Sequence, residues 1–243
     1  MPTQLLFTRV LNAHLAAPID AILSRLHIQP AVPSAPISDT LMMEVLITLG
    51  LILYFVAIRL TLDVERPSLV QHFAELTHGA IGDQAESIIG HGSERFLSFL
   101  TVIALFILPC NLVGLIPGLD SPTANVVVPL GLAILTFCYY QYHGIRKNGW
   151  KYYKQFIGPI WWLSPLLLPI EIISHFARLL SLTVRLYANI FAGALITLVF
   201  FSLMPIGLPL VFMGMHLMVA ILQAFVFMLL AMIYLSLALS EEH

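Results

Sequence analysis

Charge is what this sequence has least of. Eleven Lys and Arg and 13 Asp and Glu among 243 residues leave 10% of side chains charged, against about 25% in a soluble domain. So little polar surface cannot cover a globule in water, which excludes a soluble enzyme and equally a disordered chain. A net charge of −2 provides no basic field to hold nucleic acid. The two cysteines, Cys110 and Cys138, sit inside apolar runs and read as small buried hydrophobes rather than a disulfide framework. No internal repeat is visible, and no G-x-x-x-x-G-K-[ST] phosphate loop occurs, so no ATP site is expected on this chain. No cofactor or metal site is expected either.

What the sequence has in abundance is apolar side chains, 59% of the total, with a mean hydropathy of +0.93. The class this implies is an all-α polytopic membrane protein, a single integral domain over residues 1–243. A membrane-crossing helix needs about 20 mostly apolar residues. Leu41–Leu62, Phe96–Gly118 and Ala124–Tyr142 qualify, followed by two longer stretches, Trp161–Phe201 and Leu208–Leu239, divided by Met204-Pro205-Ile206-Gly207. Five crossing segments are therefore expected. As continuous helices the last two would run about 60 Å and about 48 Å, against a hydrocarbon core of about 30 Å. Steep tilt as a hairpin, suited to lying against a large curved partner, resolves the excess. The alternative is a break near Pro165 and Pro169 and a re-entrant start.

Arg146, Lys147, Lys151 and Lys154 follow Tyr142 with no acid among them, so that segment is expected in the cytoplasm. Trp150, Tyr152, Tyr153, Trp161 and Trp162 flank it as an interfacial belt. Asp120, in a short link without a base, is then outside, as is the N-terminus, and the C-terminal Glu241-Glu242-His243 is inside. Residues 1–40 do not resemble a signal peptide. They read as an interfacial helix followed by a linker with Pro30, Pro33 and Pro36. Residues 63–95 read as a cytoplasmic polar segment with an amphipathic helix around Leu69–Ile89.

Residues 161–239 carry the functional signal. Between Gly158 and Ser240 the ionisable side chains, tyrosine apart, are Glu171, His175, Arg178, Arg185 and His216. Ionisable groups inside a bilayer are costly and are functional candidates by default. Glu171, His175, Arg178, Leu182, Arg185 and Asn189 step by four, three, four, three and four. They fall within about 80° of one helix face. His216, Gln223 and Tyr234 share a face of the last helix, and a hairpin brings the two stripes together. Some of this has a structural reading. Glu171 can pair with His175 or Arg178 within its helix, Arg178 can snorkel to an interface, His175 can be a packed core residue, and Asn189 and Gln223 can glue helices.

Arg185 is different, because no carboxylate lies near it in either long helix. It stays protonated, so it cannot relay protons, but it can strip one from an approaching acid. At 4 Å and an effective dielectric of about 20 the pair gains about 4 kcal/mol. That is roughly a thousandfold in the ionisation of the acid. Glu171, His175 and His216 suit relays along such a route. The main rival is a proton-coupled secondary transporter or channel, which usually shows repeats and broken helices. An intramembrane enzyme would need a denser constellation of groups.

These same residues carry a resemblance. Ser181-Leu-Thr-Val-Arg185-Leu-Tyr-Ala-Asn189-Ile-Phe-Ala-Gly193 resembles the signature of subunit a of F-type ATP synthases. The run from Leu222-Gln223-Ala through Tyr234 is similar to that family's last helix, and the likeness extends back through Asn111–Pro117 and Leu168–Glu171, covering roughly residues 40–243. The resemblance implies the stator half of a rotary proton path, a non-catalytic subunit coupling proton flow to ATP synthesis. Arg185 would face carboxylates of a rotating c-ring, and Asn189, Gln223, His216 and Glu171 would line the access pathways. It implies b-type peripheral-stalk subunits as further partners and the bacterial inner membrane as the location. One position departs from the pattern: many relatives carry a carboxylate nine residues after the arginine, where this chain has Ala194.

Overall fold

The structure, a computed structural model, describes residues 8–9, 12–13, 37–63, 67–116, 119–149, 164–204 and 207–240. Six long helices account for most of them: α1 (Asp39–Leu60), α2 (Leu69–Ile89), α3 (Glu94–Val113), α4 (Val127–Asn148), α5 (Ser164–Leu203) and α6 (Leu208–Leu239), with a 3-10 turn at Pro122–Ala124. No strand occurs among the described residues. The fold is all-α and polytopic, as the composition implies. Four helices, α1, α3, α5 and α6, are long and apolar enough to cross a membrane. The fifth expected span, α4, has 22 residues, but Tyr139, Tyr140, Gln141, Tyr142 and His143 make its second half markedly more polar.

Helix ends follow local chemistry. Ser38 caps α1 by accepting from the Leu41 N–H at 3.2 Å, and Ser68 caps α2 through the Gln71 N–H. Gly90, at φ 87°, ends α2 at the boundary the amphipathic pattern indicates. Two spans differ in extent from the hydropathy reading. α3 stops at Val113 instead of running to Gly118, because the chain turns back at Gly114; a Cβ there would lie 2.8 Å from the Ser121 Cβ. α4 starts at Val127, where the Asn125 Oδ1 accepts from the Val127 N–H, and continues beyond Tyr142 to Asn148.

A buried polar chain ties the α3–α4 turn to the core. Ser121 donates to the Cys110 carbonyl (2.7 Å), Thr123 donates to Asn111 Oδ1 (2.7 Å), and Asn111 Nδ2 donates to the Ala220 carbonyl of α6 (3.1 Å). Every member is satisfied, which is what makes buried polarity stabilising. At the opposite end, the last turn of α4 caps α6. Lys147 Nζ donates to the Leu239 carbonyl (2.9 Å) and Asn148 Nδ2 to that of Ala238 (3.2 Å). A cation at a helix C-terminus also complements the macrodipole.

α6 is the axis of the packing. Its Met232 and Leu235 meet Phe96, Leu100 and Tyr140 in one apolar cluster. Its Ala220, Ala224 and Phe227 meet Ile103, Ile107, Leu182, Leu186 and Ile190 in another. Small residues on α6 let the neighbouring backbones come close. α5 is a single 40-residue helix running through Pro169, which removes the alternative of a break there. It is about 60 Å long and packs against the 32 residues of α6 as an antiparallel hairpin. α1 stands mostly apart, packed on α3 and the 3-10 turn. Of the N-terminal 40 residues only a few are described. Asn12 holds both backbone groups of Ile37, at 3.1 Å each. The expected interfacial helix, its proline linker, the Trp150–Trp162 belt and the C-terminal acids lie outside the described residues.

Candidate functional site at the α5–α6 seam

The polar stripe of α5 runs along the rim of its contact with α6. Leu182, Leu186 and Ile190 fill the buried seam; Arg185 is half-buried at its edge, and Asn189 is exposed. Three contacts set the register of the hairpin. Arg178 lies over the Tyr234 ring, 5.6 Å from its centroid. Asn189 Nδ2 donates to Gln223 Oε1 at 2.8 Å. The imidazole of His216 lies against Gly193, where an added Cβ would come within 2.9–3.1 Å of ring atoms. The sequence-derived residues His216, Gln223 and Tyr234 thus all meet α5, as their shared face requires.

The stripe is not one continuous chain of contacts. At one end His175 Nε2 lies 3.4 Å from Glu171 Oε1, and Arg178 is engaged with Tyr234. Arg185 stands between the two groups. Its Nη2 donates to Ser181 Oγ at 3.3 Å, and no carboxylate pairs with it among the described residues. Between the Tyr234 and Gln223 contacts α6 presents Ala224, Phe227 and Ala231, all buried and none an acceptor through its side chain. Val184, next to Arg185 in the chain, is exposed. The guanidinium therefore lies on a face that is apolar apart from Ser181 and Asn189, with most of its five N–H donors left without an acceptor among the described residues.

A cavity of about 650 Å³ opens beside the half of the hairpin nearest the α5–α6 turn, lined by Asp120, Ser121 and Asn125 of the α3–α4 turn and by Ala194, Thr197 and Leu198 of α5. Ala194 follows Gly193, so the cavity wall adjoins the buried His216. The imidazole's Nε2 has no protein partner among the described residues. Sequence reasoning missed this cavity, because its polar lining comes from a turn whose folding back is not written in hydropathy. It also missed Ser181, whose role at Arg185 is visible only as an i,i+4 offset, and Gly193, whose lack of a side chain admits the His216 ring. Gly193→Ala is expected to displace that ring and cost about 1–3 kcal/mol, the usual range for overpacking. Thermal unfolding of the purified complex measures this, and an unchanged transition would refute the close approach.

The ATP synthase A chain family matches residues 40–236. The chain belongs to this family. It is 50% identical to the ATP synthase subunit a of Koribacter versatilis (strain Ellin345) over all of both chains. It is 41% identical to that of Solibacter usitatus (strain Ellin6076), over 96% of this chain and 99% of the relative. With that of Geobacter sulfurreducens (strain ATCC 51573 / DSM 12127 / PCA) the identity is 43%, over 73% of this chain and 77% of the other. Membership sets aside both rivals, the secondary transporter and the intramembrane enzyme.

Proposed function

We propose that α5 and α6 form the face where a transmembrane proton path meets the carboxylates of a rotating c-ring. The coarse statement follows from the family: the chain is the multi-pass, proton-channel stator subunit of an F-type ATP synthase. The observation that supports the finer reading is the guanidinium of Arg185, half-buried at the rim of the seam with no acid paired to it among the described residues. A protonated carboxylic acid arriving there from lipid loses its proton to water, because the ion pair favours the charged form. Arg185 then keeps the outer and inner routes from joining, since a proton cannot pass through a group that never deprotonates. Each proton that crosses 100 mV releases about 2.3 kcal/mol.

In this reading the outer route runs from the cavity at Asp120 and Ala194 toward His216, Asn189 and Gln223. The inner route runs past Glu171, His175 and Tyr234. Residues 161–239 are the ion path, residues 63–95 are cytoplasmic, and b-type stalk subunits hold the chain against the ring. The chain sits in the bacterial inner membrane with its N-terminus outside and its C-terminus inside. Cysteine accessibility tests the routes, once Cys110 and Cys138 are replaced. Cysteines at Glu171, Asn189 and Ala194 should react with small aqueous thiol reagents, and those at Ile173 and Leu217 should not. Ile173 and Leu217 are as open to the surroundings as the pathway positions, so equal labelling of all five would mean that the stripe carries no water and is no pathway.

A further inference from the structure

Tyr140 is not among the residues the sequence singles out, and neither proposed route uses it. It is buried, 2% exposed, in the middle of the helix bundle. Its hydroxyl reaches across from α4 to α5, 3.4 Å from His175 Nδ1. The other ring nitrogen of His175 lies 3.4 Å from Glu171 Oε1. One imidazole is therefore held between a phenol and a carboxylate. A neutral imidazole has a single N–H, so only one of its nitrogens donates and the other accepts. An ionised carboxylate only accepts, which places the proton on Nε2. Nδ1 is then the acceptor, and a phenolic O–H is the donor it needs.

The phenol is in turn fixed by its surroundings. Phe137 meets its ring edge-on at 5.3 Å, Tyr234 of α6 lies at 6.0 Å, and the His175 ring is nearly parallel at 6.4 Å. Among the described residues, the titratable and charged groups facing His175 include Glu171 and Arg178 on α5 and Tyr140 on α4. Tyr234, under the Arg178 guanidinium, joins them from α6. Three helices thus converge to orient one hydroxyl. A packing role alone would be met by phenylalanine, without placing a polar atom at full burial.

We infer that Tyr140 is a positioning residue of the inner proton route: its hydroxyl holds His175 as the Nε2–H tautomer, with that N–H aimed at Glu171. The inference rests on the proton path proposed above. Ring orientation and tautomer decide which nitrogen can pass or receive a proton, so Tyr140 acts through His175 and need not carry the proton itself.

The test uses the whole complex. Tyr140→Phe keeps the ring and removes only the hydroxyl. Passive proton flux through membrane vesicles stripped of the catalytic sector is compared for wild type, Tyr140→Phe, His175→Gln and the double variant. Nitrogen-15 solid-state NMR of the labelled complex reads the tautomer, with the His175 signal identified by its loss in His175→Gln. Flux should fall roughly three- to tenfold in Tyr140→Phe, the worth of one hydrogen bond, with no further fall when it is added to His175→Gln. The Nε2–H form should dominate in wild type and give way to a mixture in Tyr140→Phe. Wild-type flux in Tyr140→Phe, an equal loss in both backgrounds, or an unchanged tautomer would each overturn the inference. Arg185→Ala, run in parallel, reports on the proposed path itself. Normal coupling there would remove the path, while the tautomer measurement still decides what Tyr140 does to His175.

Discussion

Membranes carrying Arg185→Ala are expected to contain the assembled complex yet make no ATP from a proton gradient. Among the described residues the half-buried Arg185 guanidinium bonds only Ser181, and Leu182 and Leu186 beside it fill the seam without its help. Its removal thus leaves the hairpin packed. What is lost is the positive charge at the proposed meeting point of the two routes. An arriving carboxylic acid would then keep its proton, giving up an interaction of about 4 kcal/mol at 4 Å in a medium of effective dielectric 20. The block between the routes would also be gone, so passive proton leak should persist or rise while ATP-driven pumping stops. Arg185→Lys should fail at coupling too, because a compact ammonium does not reproduce a planar guanidinium at a carboxylate site. Synthesis, pumping and passive leak measured on the same vesicles separate these effects. Wild-type synthesis in Arg185→Ala would falsify the assignment.

How much of this was legible beforehand depended on whether the information was periodic. The α5 stripe was, because burial cost forces ionisable groups in a bilayer onto one face, and a step of three or four residues is the mark of that face. The partnering of His216, Gln223 and Tyr234 with α5 was legible for the same reason. The exact extents of α3 and α4 were not, since Ser121, Thr123 and Asn125 act through side-chain hydrogen bonds that hydropathy does not weigh. Nor was the difference between residues on one stripe. Leu182 is buried in the α6 seam, His175 is buried against Tyr140 of α4, and Asn189 stays exposed while reaching Gln223, a few tens of degrees apart on one helix, and only the packed partner decides which is which. Tyr140 lay hidden because a tyrosine in an apolar run looks like core until a polar atom is found opposite its hydroxyl.

Replacing His216 with alanine should slow passive proton flux without ending it, whereas Ala194→Glu should be tolerated. The family resemblance implies a carboxylate where this chain has Ala194, and Glu171, the acid of the long helices, cannot stand in for it. It lies 23 positions earlier, about 35 Å along a continuous helix. The acid lining the same cavity as Ala194 is Asp120, from the α3–α4 turn. A cavity of about 650 Å³ has room for many waters, each taking up about 30 Å³, and polar partners in Ser121, Asn125 and Thr197. A glutamate at 194 would extend into that space without meeting the packed seam. The buried His216 nitrogen next to Gly193 is the polar group that such water reaches from the cavity. Removing it should lower flux by up to about a hundredfold, the low end for one proton-transferring side chain, while water beside the Asn189–Gln223 pair sustains the remainder. Flux through the stripped membrane sector of each variant is the measurement. Complete loss in Ala194→Glu, or unchanged flux in His216→Ala, would mean that protons reach Arg185 by another way than this cavity.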